Sequence, residues 1–232
     1  MKIVLLHAFP MSSAMWEPQL AALKDYSVLT PDLRGFGAAP LTAPWLIEHA
    51  AADILASFEG PAVFVGLSMG GYVALQIAAS APERVKGLVL CDTRAEPDAN
   101  ENKAKRAAAI DFVRKNGVEA FLAPFLKDSV HAQSAMGLLH SVASKASPEA
   151  VMAALAALAA RPDAVPGLSK IKVPTAVIVG SQDKITPLPM SEAMRAKIPG
   201  AELHIIPDAG HFSNAENPAA FNERLLSFLK RL

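Results

Sequence analysis

Short apolar runs alternate with amphipathic segments along most of the chain. Six runs are rich in Val, Ile and Leu and lack a strict alternation of apolar and polar positions, which is typical of strands covered on both faces. They comprise residues 2–8, 27–31, 62–67, 85–91, 175–179 and 202–206. The segments between them that have helical spacing are residues 13–24, 45–58, 69–80, 188–198 and 218–231. This alternation predicts an α/β fold with a mostly parallel, doubly wound sheet of about six strands.

One region, residues 95–170, breaks this rhythm, because it shows helical patterns and no convincing strand. Its last helix begins at Ser147-Pro148, a typical start signal. A helical insertion between two strands predicts a lid over the carboxyl ends of the strands, where open α/β sheets bind ligands. Residues 1–94 and 171–232 then form the core of the same domain. A helical subdomain that only extends the core is the alternative.

The composition excludes several classes of function. The 232 residues are 52% hydrophobic, enough for one sizeable core. The 22 basic and 22 acidic side chains balance, so no nucleic-acid partner is expected. No polybasic stretch is present, and the apolar run at 150–160 is far shorter than the ~20 residues that span a bilayer, so no membrane partner is expected. No secretory signal precedes the first strand, which predicts a cytoplasmic protein. Both a monomer and a homodimer are compatible with the sequence.

No pattern in the sequence predicts a metal or another cofactor. Gly35-x-Gly37 lacks the third glycine of a nucleotide-binding loop, and Gly-Lys-Ser/Thr is absent. Cys91 is the only cysteine, so an internal disulfide is impossible. Four histidines lack the spacing of metal ligands, and they are His49, His131, His140 and His204.

The most informative motif is GLSMGG at residues 66–71, between an apolar run and a helical one. A strand, a G-x-S-x-G turn and a helix form the context in which a serine is held in a strained turn. Gly66 and Gly70 leave room there, because a side chain at either position would crowd neighbouring backbone. The pattern predicts that Ser68 presents its hydroxyl at the end of a strand, beside the positive end of a helix dipole.

A serine hydroxyl needs a base, and the base needs an orienting acid. Asp183 follows the strand at 175–179 and His211 follows the strand at 202–206, so both lie at the sheet edge that presents Ser68. The chain order Ser, Asp, His is the one expected for this topology. Asp92, after the strand at 85–91, is the alternative acid. His7 and the segment 32–37 are interpreted as loop braces, and Asp208 as a turn residue.

Five motifs in order resemble those of the α/β-hydrolase superfamily over almost the whole chain. They are HAFP at 7–10, DLRGFG at 32–37, GLSMGG at 66–71, GSQDKITP at 180–187 and AGHF at 209–212. Within the superfamily, the chain is most similar to small carboxylesterases and to hydrolases grouped with 3-oxoadipate enol-lactonases. The antiparallel hairpin that many members carry before the first strand is missing here.

This resemblance implies a role for each matching residue. Ser68 is the nucleophile, His211 the general base and then the acid, and Asp183 orients the imidazole. The backbone amides of Met69 and Phe9 form the oxyanion hole. Many relatives have glycine where this chain has Ala8, and the extra methyl narrows the space beside the Phe9 amide.

The implied reaction is hydrolysis of a small carboxylic ester or lactone through an acyl-enzyme. Apolar residues expected in the pocket predict an uncharged acyl group. Besides Phe9 and Met69, they are Phe112, Phe121, Phe125, Leu126 and Phe212. Arg94 either contacts a carboxylate on the substrate or braces a loop. Perhydrolase or carbon–carbon bond hydrolase activity uses the same triad, and a ligand receptor that retains the fold is a third alternative.

Overall fold

All six strands of the sheet are parallel. The computed structural model describes all 232 residues. The strands are β1 (Lys2–Leu6), β2 (Ser27–Leu29), β3 (Ala62–Leu67), β4 (Val85–Cys91), β5 (Thr175–Gly180) and β6 (Glu202–Ile206), in the spatial order β2-β1-β3-β4-β5-β6. The predicted six-stranded α/β sheet is confirmed, with strand ends that differ by no more than two residues from those expected.

Ten helices accompany the sheet. They are α1 (Glu17–Leu20), α2 (Ile47–Ala56), α3 (Met69–Ser80), α4 (Asn100–Ser129), α5 (Met136–Ala143), α6 (Pro148–Ala160), α7 (Val165–Leu168), α8 (Leu188–Lys197), α9 (Ser213–Glu216) and α10 (Pro218–Leu229). Right-handed crossovers place α2, α3 and α8 on one face of the sheet and α1 on the other. Helix α2 packs against α3, and α1 packs against α10, as this arrangement requires.

The helix expected at residues 13–24 is shorter than predicted. The segment forms a 3₁₀ turn at Ser13–Trp16 and then the single turn of α1. Pro18 has no backbone N–H and fits only the first turn of a helix, so it separates the two pieces. The helix start predicted at Ser147 is confirmed, because its side chain accepts a hydrogen bond from Ala150 N. Asn217 caps α10 in the same way by accepting from Ala220 N.

The segment between β4 and β5, here called the insertion, contains α4 to α7 and no strand. Helix α4 is interrupted at Gly117, whose φ of 80° is not helical. Helix α4 packs against α6, and α5 packs against the 3₁₀ turn at Ser13–Trp16. No single helix of the chain is long and apolar enough to cross a membrane. One pair of consecutive helical segments has the required length and hydropathy when the two are taken together, and the pair is bent by 108°. The two segments are Gln133–Ala143 and Pro148–Ala160.

The order of the strands fixes where a ligand can bind. The chain moves from β1 to β2 in one direction and from β2 to β3 in the other, so the topological switch point lies between β1 and β3. Leu6 pairs with Gly66 in these two strands. The loops that follow them, with Phe9 and Ser68, therefore meet at the carboxyl edge of the sheet, where open α/β sheets bind ligands.

Candidate active site

Ser68 occupies the sharp turn from β3 into α3. Its backbone angles, φ 51° and ψ −110°, are rarely adopted by a residue with a side chain. The turn depends on the flanking glycines. A Cβ on Gly66 would lie 2.3 Å from Gly70 O, and a Cβ on Gly70 would lie 2.1 Å from Leu6 O. The predicted strained turn is confirmed, and the Ser68 side chain is presented at the start of α3.

His211 and Asp183 meet Ser68 in one hydrogen-bonded chain. His211 Nε2 lies 2.9 Å from Ser68 Oγ, and His211 Nδ1 lies 2.9 Å from Asp183 Oδ2 and 3.1 Å from Oδ1. His211 and Asp183 are buried, with 2% and 5% of their surface exposed. Because the carboxylate accepts from Nδ1–H, Nε2 is left with a lone pair that faces the serine hydroxyl. The structure thus brings together the three side chains selected from the sequence.

The Asp183 carboxylate is held in its ionised form. Burial acts to raise its pKa, but the imidazole of His211 and donors from Thr186 outweigh burial and lower the pKa to about 2. The donors are Ile185 N at 2.8 Å, Thr186 N at 3.0 Å and Thr186 Oγ1 at 2.7 Å. A carboxylate with this many donors is also fixed in orientation, so it fixes the ring of His211.

The pKa of His211 is raised above its ordinary value of 6.5. Burial acts to lower it, but the negative charge of Asp183 outweighs burial, and Asp92 and Glu216 act in the same direction. The charges that favour the imidazolium are therefore carboxylates. Such surroundings stabilise the protonated histidine that forms when a serine gives up its proton.

Asp92, the alternative acid, forms no hydrogen bond with the histidine ring. Its Oδ1 accepts from Gly180 N at 2.7 Å, and its Oδ2 accepts from Ser213 Oγ. Burial raises its pKa well above the usual range, with the negative charge of Asp183 acting in the same direction. Asp92 therefore links the end of β5 to Ser213, whereas Asp183 forms the hydrogen bond with His211.

The backbone amides of Phe9, in the loop after β1, and of Met69, directly after Ser68, donate to no acceptor within the protein. The loop with Phe9 is braced by His7, whose Nδ1 lies 2.9 Å from Ala8 O and whose Nε2 accepts from Leu33 N at 2.8 Å. Burial lowers the pKa of His7 to about 4, so the ring is neutral at physiological pH. Asp32 braces the following loop by accepting from Ser13 N and Ala38 N. His7 and Asp32 are thus structural, as predicted.

Aromatic rings of the insertion pack over the Phe9 loop. Phe121 and Phe125 stack on each other with centroids 5.6 Å apart, and they lie 6.1 Å and 5.8 Å from the ring of Phe9. Leu126 is buried in the core. Phe212 is also buried, with its ring 5.5 Å from that of His211.

Phe112 was expected in the same pocket, but the structure corrects this. Its side chain is 43% exposed, and it forms no aromatic pair with Phe9, Phe121 or Phe125. Phe112 precedes the kink at Gly117, and Phe121 follows it. Because the kink interrupts the helix, the two side chains do not lie on one continuous helical face.

Glu216 was not singled out from the sequence, yet it organises the loop around His211. Its Oε2 accepts from Gly210 N, His131 N and Ala132 N at 2.9, 2.7 and 2.7 Å, and its Oε1 accepts from Phe212 N at 3.1 Å. His211 N itself donates to Ser129 O. One buried carboxylate therefore joins the loop of His211 to the end of α4. The only signal in the sequence is an acidic residue five positions after the histidine.

A family model described as the alpha/beta hydrolase family matches residues 3–224. The chain belongs to this family. The predictions of the fold and of a hydrolase are therefore confirmed.

Several esterases and lactonases are similar to this hydrolase over nearly its whole length. Pimeloyl-[acyl-carrier protein] methyl ester esterase of Neisseria meningitidis serogroup B is 32% identical over 233 residues, which cover 95% of this chain and 89% of the relative. 3-oxoadipate enol-lactonase 2 of Acinetobacter baylyi is 31% identical over 233 residues, covering 94% and 84%. The solved structure of an esterase from Thermogutta terrifontis matches with a TM-score of 0.94 and 33% identity, covering 100% of this chain and 90% of that one. These relatives are carboxylic ester hydrolases.

Proposed function

We propose that this hydrolase cleaves small, uncharged carboxylic esters, including lactones, through an acyl-enzyme on Ser68. The observation that carries the proposal is the distance of 2.9 Å between Ser68 Oγ and His211 Nε2, with Asp183 on the opposite ring nitrogen. This is the geometry in which a histidine accepts the serine proton during attack on a carbonyl. The esterase and enol-lactonase relatives support the same chemistry.

In the first half of the reaction, Ser68 Oγ attacks the ester carbonyl while His211 Nε2 accepts its proton. The carbonyl oxygen becomes an oxyanion, and the free amides of Phe9 and Met69 stabilise its charge. His211 then donates the proton to the leaving alkoxide, and the alcohol departs. Asp183 keeps the ring oriented and stabilises its charged form throughout.

In the second half, a water molecule replaces the alcohol. His211 removes a proton from this water, which attacks the acyl carbonyl, and the same two amides hold the second oxyanion. Return of the proton to Ser68 Oγ releases the carboxylic acid and restores the enzyme.

The surroundings of Ser68 favour an uncharged substrate. Phe9, Phe121 and Phe125 offer apolar aromatic surface, which suits an aliphatic acyl chain. The charges that act on His211 are carboxylates, and they would repel an anionic acyl group close to the ring. We further propose that α4 to α7 act as a lid on the same domain, because Phe121 and Phe125 of α4 cover the Phe9 loop.

Hydrolysis of p-nitrophenyl butyrate tests the proposal. Ser68→Ala should lower kcat/KM by at least about 10³-fold, because the nucleophile is lost. Ser181→Ala is the matched control, since Ser181 Oγ only accepts from Asp208 N at an exposed turn. Unchanged turnover by Ser68→Ala would refute the proposed mechanism. A panel of aliphatic esters and lactones, measured on the wild type, then defines the preferred substrate.

A further inference from the structure

A cavity of about 380 Å³ lies on the side of α3 that faces the insertion, and no residue of the triad lines it. Helix α3 contributes Tyr72, Leu75, Gln76 and Ala79, which share one helical face. The opposite walls come from the two segments that connect the insertion to the core, at residues 94–95 and 161–171. A volume of this size is within the range of small-ligand sites, which begins at about 300 Å³.

Two arginines form the polar end of this cavity, and both belong to a cluster around Asp98. The guanidinium groups of Arg94, Arg106 and Arg161 all contact the Asp98 carboxylate, which is fully buried. Arginine stays charged at all relevant pH values, so three cations face one carboxylate. One acidic group cannot neutralise this cluster.

The arginines also have unused hydrogen-bonding capacity. Arg94 donates to Asp98 through one Nη only, so its Nε and its other Nη have no acceptor in the protein. Arg161 is 5% exposed; its Nη groups donate to Leu158 O and Glu96 O, but its Nε has no acceptor. The two Nε atoms are sealed from the cavity by neighbouring atoms, so the free Nη of Arg94 is the donor that a ligand oxygen can reach.

Other charged groups near the cavity do not cancel the excess positive charge of the Asp98 cluster. Lys170 and Asp163 line it and offset each other, while the Glu96 carboxylate is partly buried and forms no ion pair. Together with the Asp98 cluster, four cations stand against three carboxylates. The site therefore has one net positive charge, which a ligand with one negative charge would neutralise.

The remaining walls are apolar. They include Ile47, Leu75, Leu168 and Ile171, all of them buried. The guanidinium carbon of Arg161 lies 4.4 Å from the centre of the Tyr72 ring. This cation–π contact holds the Arg161 charge against the wall that α3 forms.

We propose that this cavity is a second ligand site, separate from Ser68, that binds a carboxylate with a short aliphatic chain. The carboxylate would accept from the free Nη of Arg94 and lie beside the positive charge of Arg161, which also lines the cavity. The aliphatic chain would lie against Leu75, Leu168 and Ile171. The site does not depend on the proposed reaction, although the acid released from a small ester belongs to this class of ligand.

Binding at this position would hold the insertion against the core. The ligand would contact α3 of the core on one side and the connecting segment 161–171 on the other. Because Tyr72 lies one helical turn after Ser68 and its N–H donates to Ser68 O, the site also adjoins the turn that carries the proposed nucleophile.

The test is calorimetric titration with hexanoate and with hexanamide, its neutral counterpart. The protein is used after Ser68 has been blocked with a p-nitrophenyl phosphonate, so that the catalytic pocket is occupied. Hexanoate should bind in the millimolar range or tighter, and hexanamide should bind at least about tenfold more weakly, because it lacks the charge. If Ser68 does not react, the proposed function fails, and the titration is still made on the unmodified protein.

Three variants complete the experiment. Arg94→Gln should weaken hexanoate binding about tenfold or more, whereas Arg114→Gln, at an exposed ion pair with Asp111, should leave it unchanged. Ala79→Phe places a large ring at a residue that lines the cavity and leaves every member of the Asp98 cluster unsubstituted, and it should also abolish binding. It therefore keeps the test valid if Arg94→Gln fails to fold.

Three results would overturn the proposal. The first is equal affinity for hexanoate and hexanamide, which indicates an apolar cavity without a carboxylate site. The second is undiminished binding of hexanoate to both Arg94→Gln and Ala79→Phe. The third is binding that disappears when Ser68 is blocked, because it places hexanoate in the catalytic pocket.

Discussion

His211 Nε2 lies 2.9 Å from Ser68 Oγ, although 143 positions of sequence separate the two residues. The sheet explains how they meet. Ser68 follows β3 and His211 follows β6, and parallel strands end at the same edge. The fold thereby brings together a proposed nucleophile and base that lie in distant segments of the chain.

Asp183→Asn and Asp92→Asn form a matched pair that identifies the acid of the triad. Asp183→Asn should lower kcat by about 10³–10⁴-fold, because the amide no longer holds His211 in the required tautomer. Asp92→Asn should keep activity within about tenfold of the wild type, since Asp92 forms hydrogen bonds with Gly180 and Ser213 and not with the ring. The opposite ranking of the two variants in p-nitrophenyl butyrate assays would assign the role to Asp92.

The activity should decline on the acidic side at a pH above the ordinary histidine value. His211 accepts a proton only when it is neutral, and its pKa is raised above 6.5 by Asp183, against the effect of burial. The kcat/KM should therefore fall as the pH decreases through that raised pKa. A profile of kcat/KM against pH measures the apparent pKa of this acidic limb. An apparent pKa below 6.5 would contradict the role of His211 as a base whose pKa is raised by Asp183.

Glu216→Gln should shift this limb to lower pH. The negative charge of Glu216 contributes to the raised pKa of His211, and glutamine removes the charge. The variant should also unfold at a lower temperature, because a carboxylate that accepts from four backbone amides is replaced by a group with one acceptor oxygen.

Glu149→Gln serves as the control for Glu216→Gln, because Glu149 is exposed in the first turn of α6. Its pH profile should match that of the wild type. If Glu216→Gln lowers the melting temperature but leaves the pH profile unmoved, Glu216 supports the loop without acting on the charge of His211.

The turn around Ser68 should not tolerate alanine at Gly70. A Cβ there would lie 2.1 Å from Leu6 O, in backbone that cannot move aside without displacing β1. We expect Gly70→Ala to lower the free energy of unfolding by about 3 kcal/mol or more. Gly137→Ala in α5 is the control, since a Cβ there meets nothing within 4 Å. This substitution should raise the free energy of unfolding by up to about 1 kcal/mol. Urea denaturation of both variants distinguishes crowding at the turn from a general effect of removing glycine.

The aromatic surface over Phe9 should contribute to binding of the acyl chain. Phe125→Ala should raise KM for p-nitrophenyl butyrate more than it changes kcat, because the ring offers apolar contact that is similar in the ground and transition states. Phe112→Ala should change neither constant, since its ring is exposed away from this cluster. Equal effects of the two substitutions would place the acyl pocket elsewhere.

The sequence was sufficient for those parts of the molecule that are encoded locally. The six strands follow from buried apolar runs, and the turn at Ser68 follows from two glycines around a serine between a strand and a helix. Asp183 and His211 could be selected because each ends a strand on the same edge. Even the loop brace at His7 could be anticipated from its place directly after β1.

Features that depend on contacts between residues far apart in the sequence could not be predicted in this way. Glu216 acts on His131 and Ala132, which are more than 80 positions away, and no local pattern marks that contact. Arg94 was considered as a possible partner of the substrate, but it belongs to the Asp98 cluster, whose members come from three separate segments. Phe112 lies before the interruption of α4 at Gly117, whereas Phe121 and Phe125 lie after it, and the sequence does not show how the two parts of this helix are oriented.

The most direct test of the account is to locate the covalent bond that forms during inhibition. The enzyme is treated with a p-nitrophenyl alkylphosphonate, and the modified residue is identified by mass spectrometry while residual activity on p-nitrophenyl butyrate is followed. The account predicts one phosphonyl group per chain, on Ser68, with activity lost in proportion to the modification. Full turnover in a protein whose Ser68 is completely modified, or complete inactivation by modification at another residue, would contradict it.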